Sequence, residues 1–403
     1  MQRFLFAFLL VFTLSSPALA VRKTTVRELQ ETLLSLKDAK KSDQEVATRL
    51  KEIELSEQLT MDAKNRLLND LPGPLSTEQI YVLEALSANL PPPAADLPIT
   101  PAPDAAAQQA ILVKAEHYVT RTYEQLPLLA ATRSTLRFQD NVEAVAQSSG
   151  IVGSATEVDT SFGLSNTVSI VHFINSTDSI ISSEHGAEKL PTETDKIPWG
   201  ANRMIAIEAP APSLSVIFRE AQAAGTIQWL RWEMVNGRQA AVFSLAVPKS
   251  KSRLAVDICC FPSVTQIGTA RFYTPTSAAQ LGGSEAAPGG AGGVRGNMQT
   301  NTEWQPYKAT AAYHGELFID PETGIVVRMI TEAELKPAEM VHRFDTRIDY
   351  GPVPVGAGML VVPVKSIVNT VVVPRGDSGA GTYTTRRTLF SSEYKDYRLA
   401  GAH

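Results

Sequence analysis

The spacing of apolar residues changes once along the chain, near residue 130. From Thr25 to about Leu90, apolar residues recur every three or four positions, as they do along one face of a helix. After Ala130 they alternate with polar residues, which is the period of a half-buried strand. The pattern therefore predicts an α+β protein: an N-terminal helical segment followed by a curved, largely antiparallel β-sheet domain with covering helices.

Three short motifs predict where helices of the N-terminal region begin. Thr25–Glu28, Ser42–Glu45 and Ser76–Gln79 each place a hydroxyl three residues before Glu or Gln. This is the pattern of a capping box, in which the two side chains satisfy the first free backbone amides of a helix. We therefore expect at least three helices before residue 90.

A Pro/Ala-rich stretch at 91–104 divides the chain. Such a composition favours an extended, stiff spacer. The sequence accordingly predicts a helical region at 21–90 and an antiparallel β domain at 105–403. Within that domain, 281–300 carries seven glycines and is expected to be a mobile loop, and the polar segment 189–199 is either a lid or a simple connection.

Several turns and one strand are predicted in detail. Residues 343–350 alternate so that Phe344, Ile348 and Tyr350 should face a core while four charged side chains face water. Asn236–Gly237 favours a type I′ hairpin turn, and a helix from Ser213 to Ala224 should close at Gly225. Two further turns are expected at Asp320–Gly324 and at Asn175–Asp178.

The aromatic residues of the β region suggest a binding site. Strand alternation places Leu230, Trp232 and Met234 on one face, and Phe243 and Leu245 return along it. Such residues either fill a core or line an apolar cavity between a curved sheet and its covering helix. The candidate cavity-lining residues are Leu230, Trp232, Met234, Phe243, Leu245 and Phe318.

The first 20 residues resemble an export signal. Arg3 precedes an almost unbroken apolar run, Phe4–Leu14, and small residues end the segment at Ala20. Cleavage near Ala20 would leave a periplasmic or secreted protein. No later stretch approaches the roughly 20 apolar residues of a membrane helix, so no transmembrane segment is expected in the mature chain. The net charge of −5 disfavours nucleic acid as a partner.

The reactive residue types form no convincing catalytic or metal motif. Cys259 and Cys260 are adjacent in a predicted strand and should point to opposite faces; either they are two separate thiols, or a local distortion joins them in a strained vicinal disulfide with a redox role. No His has a partner at metal-ligand spacing, so neither metal nor cofactor is expected. Gly376–Gly379 and His314 resemble trypsin-like segments, but too few residues separate them for two barrels.

Two segments resemble the half-barrel carriers and sensors of the Gram-negative periplasm, the lipoprotein-localisation and anti-sigma-regulator fold. They are Gly315–Arg328, a strand, a DPxTG turn and a strand, and Ile348–Val353 followed by Val361–Val364. The resemblance covers roughly 130–400. It implies a strongly curved sheet capped by helices, with an interior that binds acyl chains or a partner's peptide.

Together these observations predict an exported, non-enzymatic protein of the cell envelope. Its ligand would be a lipid, the acyl chain of a lipoprotein, or an envelope protein held in a curved-sheet cavity. One alternative is a scaffold that docks a partner through the N-terminal helices. Another is a secreted serine hydrolase, in which case Ser378 should react with a fluorophosphonate probe.

Overall fold

The elements of the chain were obtained from a computed structural model, which describes residues 22–140, 171–189, 212–267, 299–336, 341–372 and 386–400. Its α-helices are α1 (Val26–Asp38), α2 (Asp43–Lys51), α3 (Met61–Leu68), α4 (Pro74–Ser87), α5 (Ala105–Arg121) and α6 (Leu214–Ala224). Its strands are β1 (Arg22–Thr24), β2 (Ile53–Leu55), β3 (Leu129–Asp140), β4 (Val171–Glu184), β5 (Ala187–Lys189), β6 (Gln228–Val235), β7 (Arg238–Val247), β8 (Ala255–Ile267), β9 (Gln299–Thr310), β10 (Ala312–Ile319), β11 (Val326–Glu334), β12 (Val341–Val355), β13 (Gly358–Val372) and β14 (Arg386–Leu399).

Ten strands form one large sheet, and this confirms the predicted α+β class. The strand order is β5-β4-β3-β14-β13-β12-β11-β10-β7-β6, and every neighbouring pair is antiparallel. Strands β8 and β9 form a separate antiparallel pair, and the short β1 and β2 pair in parallel. Most of the large sheet is built from hairpins between consecutive strands, the arrangement that local turn signals favour.

One face of the sheet packs against α5 and α6. The apolar stripe of α6, with Leu214 and Phe218, and that of α5, with Ala115, meet side chains such as Leu317 and Phe390 from the strands. Gly225 ends α6 in the left-handed conformation, as predicted, with φ 68°. This face is the main hydrophobic core of the β domain.

Residues 22–90, called the helical unit below, have a core of their own. Leu29, Leu50, Leu67 and Ile80 are among its buried residues. The capping boxes predicted at the starts of α1 and α2 are both present, with Thr25 and Ser42 accepting from the third helical amide. The local signals at these two positions therefore decide where the helices begin.

The third predicted capping box is wrong, because α4 begins earlier than Ser76. Its N-cap is Gly73, Pro74 takes the first helical position, and Gly73 offers no side-chain cap. Asp43 of α2 supplies the missing acceptor instead: its two carboxylate oxygens accept from the amides of Leu75 and Ser76, each at 2.9 Å. Burial raises the pKa of Asp43, but the hydrogen bonds from Ser76 and Leu75 together outweigh it and lower that pKa. A tertiary contact thus replaces the local cap.

Helix α4 lies between two cores. Ile80 and Leu83 face the core of the helical unit. Val82, Ala85 and Ala88 face the sheet, where they pack with Phe138, Val171, Ile367 and Leu389. Helix α4 thus carries apolar side chains on two sides, as expected of a helix that lies between two layers. The helical unit therefore covers the face of the sheet opposite α5 and α6.

This arrangement corrects the prediction that the charged side of residues 343–350 faces water. Phe344, Ile348 and Tyr350 do lie in the core of the β domain, as expected. Asp345, Arg347 and Asp349, on the other side of β12, are also buried. The alternating pattern identifies the two faces correctly, but it cannot show that a second layer covers the polar one.

The predicted turns have mixed outcomes. Asn236 and Gly237 adopt φ 49° and 75°, as a type I′ turn requires, and Gly324 adopts φ 76° in the Asp320–Gly324 turn. Asp320 stabilises that turn by accepting from the amides of Glu322 and Thr323, each at 3.0 Å. The turn predicted at Asn175–Asp178 is wrong, because these residues pair with β3 within one continuous strand, β4.

The Pro/Ala-rich segment at 91–104 lies against the edge strand β6. Its 3₁₀ turn, Ala94–Asp96, contacts β6. Pro91 O accepts from Gln58 N at 2.8 Å, and Pro101 O accepts from Trp232 Nε1 at 2.9 Å. Both ends of the segment are therefore anchored.

Four sequence predictions concern residues outside the described part of the chain. These are the signal at 1–20, the segment 190–199, the glycine loop up to residue 298, and Ser378 with its neighbours. The last two residues of the predicted loop, 299 and 300, begin β9.

Candidate binding cleft

The six residues predicted to line a cavity do not share one face. A register shift between Trp229 and Arg231 inserts Leu230 as an extra residue in β6, and Leu230 is exposed. Beyond the shift, Trp232 still packs against the core that holds Phe243 and Leu245. Met234, two positions further along β6, is half-buried.

Phe318 belongs to the opposite face of the sheet. It packs there with Val235, Ala240 and Val242. The guanidinium groups of Arg231 and Arg328 lie 5.8 and 5.2 Å from the centre of its ring. The predicted residues that pack in a core are therefore divided between the two faces of the sheet.

A small cavity lies on the face covered by α5 and α6. The cavity found there measures about 20 Å³. Tyr123, Tyr350, Tyr394 and Tyr397 line much of it. A volume of this size holds about one water molecule rather than an organic ligand.

A larger cavity lies on the other face, between the helical unit and the sheet. This inter-unit cleft measures about 390 Å³, within the range of about 300–1,000 Å³ typical of small-molecule sites. The helical unit contributes residues from α2, β2 and α4, and the sheet contributes residues from β4, β12, β13 and β14. The inter-unit cleft is our candidate site.

Apolar side chains form facing walls of the inter-unit cleft. Ile53 and Leu86 come from the helical unit, and Val171, Ile367 and Val371 come from the sheet. Val371 and Leu86 are half-buried, whereas Ile367 is buried in the contact with α4. These walls suit an apolar chain.

Polar residues converge at one part of the cleft, where α4 ends. This polar niche consists of Asn89, Arg343, Asp345 and Asn369. Asp345 and Asn369 are directly opposite each other on β12 and β13, and Asn369 Nδ2 lies 3.5 Å from Asp345 Oδ2. Asn89, Arg343 and Asn369 line the cleft, while Asp345 lies beside them without solvent exposure.

The charge of Asp345 is balanced by Arg343, which forms a short ion pair with it. Burial raises the pKa of Asp345, and Glu332 nearby raises it further; Arg343 and Asn89 lower it, and the result is a pKa of about 6. One oxygen each of Asn89, Asp345 and Asn369 is shielded from solvent and accepts no hydrogen bond from the described residues. The polar niche is therefore neutral overall and short of hydrogen-bond donors.

A buried triad beside the cleft joins the helical unit to the sheet. Glu84 of α4 lies 3.0 Å from Lys64 Nζ of α3 and 2.6 Å from Lys365 Nζ of β13. No side chain of the triad is more than 6% exposed. Burial lowers the pKa of Lys365, and Glu84 partly restores it. The triad holds two cations on one anion inside the interface.

A second buried network fixes the end of α4. Arg328 and Arg347 both bind Asp349, at 2.6 and 3.0 Å. Burial raises the pKa of Asp349, but the two guanidinium groups outweigh it and hold that pKa well below its usual range. Arg347 also reaches across the interface and donates to Ala88 O at 3.4 Å. A cation at the carboxyl end of a helix stabilises it.

Another groove, of about 680 Å³, lies between the Pro/Ala-rich segment and strands β6, β7, β10 and β11. Arg231 occupies its floor between Glu233 and Glu316, at 2.6 and 2.8 Å. Burial raises the pKa of Glu233, although Arg231 lowers it. Arg231, Glu233 and Glu316 satisfy one another, and of the three unsatisfied oxygens of the polar niche only that of Asn89 belongs to a residue that also lines this groove.

The other candidate residues give no catalytic constellation among the residues described. His314 of β10 is half exposed and lies 3.8 Å from Glu332 and 3.5 Å from Glu334. The backbone of β8 changes register between Ile258 and Phe261, at the cysteine pair, so the regular alternation used to place the two cysteines is interrupted there. Separate thiols and a vicinal disulfide both stay predictions.

In the described part of the chain, His, Cys, Asp and Glu side chains form no group of three or more that could hold a metal ion. Among the helices described, none combines the length and apolar composition needed to cross a membrane.

Comparisons of the chain with family models, with curated proteins and with solved structures give no match. The resemblance to periplasmic half-barrels therefore stays a prediction, and the functional argument depends on the inter-unit cleft.

Proposed function

We propose that this protein is an exported, non-enzymatic binding protein of the cell envelope, periplasmic or secreted, that holds an amphipathic ligand in the inter-unit cleft. The ligand would be a lipid or the acyl chain of a lipoprotein. The observation that carries the proposal is the composition of the cleft: apolar walls from α4 and β13 lead to a compact polar niche. An amphipathic molecule satisfies both parts at once.

Two features support a preformed site. The helical unit is fixed to the sheet by the Glu84 triad and by Arg347 at the end of α4, so the cleft does not depend on a loop for its shape. Its volume suits a small ligand. A rigid site loses less conformational entropy when a ligand binds.

The alternative of a scaffold that docks a partner through its N-terminal helices receives less support. The most apolar helix of the unit, α4, already packs on the chain's own sheet. Apolar area used inside the molecule is not free to bind a partner. We therefore favour ligand binding over helix-mediated docking.

The test is binding of the uncharged apolar fluorophore N-phenyl-1-naphthylamine to the full chain, and its displacement by methyl laurate. Val371→Phe should fill the cleft and reduce binding at least tenfold. Val364→Phe is the matched control, since Val364 is a half-buried residue of the same strand outside the cleft lining. If neither probe binds, or if the two variants behave alike, the proposed function is wrong.

A further inference from the structure

The polar niche limits which headgroup the inter-unit cleft accepts. Asn89, Asp345 and Asn369 come from the end of α4 and from two adjacent strands, and each has one oxygen without a donor. Buried acceptors are almost always hydrogen-bonded in folded proteins. Three unsatisfied acceptors close together therefore indicate that a bound molecule supplies the missing hydrogen-bond donors.

The exposure of these residues argues against ordinary solvation. Asp345 is fully buried and Asn369 is 7% exposed. Leaving such a group unpaired is unfavourable, because its desolvation is not compensated. Asn89 and Asn369 nevertheless line the cleft, where a bound ligand would lie beside their amides.

Charge decides what kind of donor is suitable. Asp345 is already paired with Arg343, so the niche has no net charge to offer. An ammonium or a carboxylate brought against this pair would have to compete with one of its members for the other, and a buried charge left without a partner is strongly unfavourable. An uncharged donor satisfies the acceptors without that cost.

From this juxtaposition we propose that the polar niche recognises an uncharged, hydroxyl-bearing headgroup, such as the glycerol of a monoacylglycerol or a sugar, on a ligand whose apolar chain lies between α4 and β13. The proposal rests on the proposed function, which it deepens by naming the headgroup. A glycerol head carries more than one hydroxyl donor, which suits the two amides that line the cleft, those of Asn89 and Asn369. A head without donors leaves both of these amide oxygens unpaired.

The experiment compares four ligands that share a twelve-carbon chain and differ in the head. They are 1-monolauroylglycerol, methyl laurate, laurate and dodecyltrimethylammonium, each titrated into the full chain below its micelle concentration by displacement of N-phenyl-1-naphthylamine. We expect 1-monolauroylglycerol to bind at least tenfold more tightly than the other three. Laurate or the quaternary ammonium binding equally well, or better, overturns the proposal.

Substitutions in the niche separate headgroup recognition from simple chain binding. Asn369→Leu should abolish the tenfold preference for the glycerol head, measured as the ratio of the affinities for 1-monolauroylglycerol and methyl laurate in the same variant. Asn89→Leu, at a half-buried position, should act in the same direction and covers the case in which Asn369→Leu fails to fold. Asn65→Leu, on the exposed side of α3, is the control and should keep the preference.

The outcomes distinguish this proposal from the proposed function. If all four ligands bind equally and Val371→Phe blocks them all, the cleft binds chains and only headgroup recognition is wrong. If no ligand binds, both fail. If the preference survives in both niche variants, the donor-binding role of the niche is refuted.

Discussion

Replacing Glu84 should leave two buried cations without a counter-ion at the contact between the helical unit and the sheet. The carboxylate lies within 3.0 Å of both Lys64 and Lys365, and all three side chains are almost fully buried. Leaving one charge of a buried pair without its partner costs about 3–5 kcal/mol. Because two cations share this anion, Glu84→Leu should lower the free energy of unfolding by about 5 kcal/mol, the upper end of that range.

The loss of unfolding free energy caused by Glu84→Leu should be smaller at alkaline pH. Burial already lowers the pKa of Lys365, and loss of Glu84 removes the interaction that raises it. The folded variant then releases the proton of Lys365 at a lower pH than the unfolded chain does. Between those two pKa values the unfolded state binds more protons, so the stability of the variant rises with pH. The gap to the parent protein should therefore narrow toward pH 10.

A triple variant tests whether the loss comes from uncompensated charge. Lys64→Met, Glu84→Leu and Lys365→Met together replace the triad with apolar side chains of similar length. Such replacements are often neutral or stabilising by about 1–4 kcal/mol. We expect the triple variant to recover at least the stability of the parent protein, even though the single variant does not.

Urea unfolding gives the measurement. The helical unit contains none of the four tryptophans, and Trp229 and Trp232 lie in the large sheet, so fluorescence reports the chain outside the helical unit while far-ultraviolet circular dichroism also reports the helices. Glu31→Leu is the control, because Glu31 is exposed and pairs with Arg27 on the helix surface; its effect should stay within about 0.5 kcal/mol. An unchanged midpoint for Glu84→Leu would refute the reasoning.

Three further predictions follow from local geometry. Asp345 has a folded pKa of about 6 against the ordinary 3.8, so the folded protein binds this proton more tightly than the unfolded chain does. The resulting stabilisation is largest below about pH 4 and is lost as the pH rises through 6. The change is about 3 kcal/mol, at about 1.4 kcal/mol per pKa unit. Asp345→Asn should remove this component from urea midpoints measured between pH 4 and 8, and an unchanged difference from the parent across that range would contradict it. Gly324→Ala should lower stability by more than the typical 1–3 kcal/mol of a strained backbone position, since φ is 76° and a Cβ would lie 2.4 Å from the backbone of Lys114; Gly356→Ala, with φ 60° and open space around it, should cost less, and equal midpoints would argue against the close contact. Asp43→Ala should destabilise the protein by about 0.5–2 kcal/mol in thermal unfolding by removing the acceptor for the first amides of α4, whereas an unchanged melting temperature would show that water replaces it.

Features with a local cause could be predicted from the sequence. The capping boxes at Thr25 and Ser42 need only residues within one helical turn. The hairpin at Asn236–Gly237 needs only two residues that tolerate a positive φ. The antiparallel sheet followed from such hairpins and from the period of two, and the structure confirms it.

Features that depend on a second layer could not be predicted in the same way. Alternation shows that Asp345 and Asp349 share a face, but charged residues on one face of a strand look the same whether water or a helix covers them. The cover consists of α4, and one signal for it was present: Val82, Ala85 and Ala88 add a second apolar side to a helix that already has one. Reading that second stripe would have pointed to the contact with the sheet.

The candidate site could not be predicted from the sequence, for two physical reasons. The extra residue at Leu230 breaks the alternation on which the predicted cavity depended, and a bulge leaves no clear local signal. The polar niche joins Asn89 to Asn369, which are close only because α4 docks on β13. Asn is also common in turns, so neither residue stands out in the sequence.

The position of the Pro/Ala-rich segment has a consequence for how copies of this chain behave together. An uncovered edge strand can recruit a strand from another molecule, which leads to aggregation. The segment lies against β6 and is held by the indole of Trp232. Its prolines have no amide hydrogen to donate, so it shields that margin without extending the ladder. Detaching the segment from β6 should therefore expose the edge of the sheet and promote the formation of oligomers.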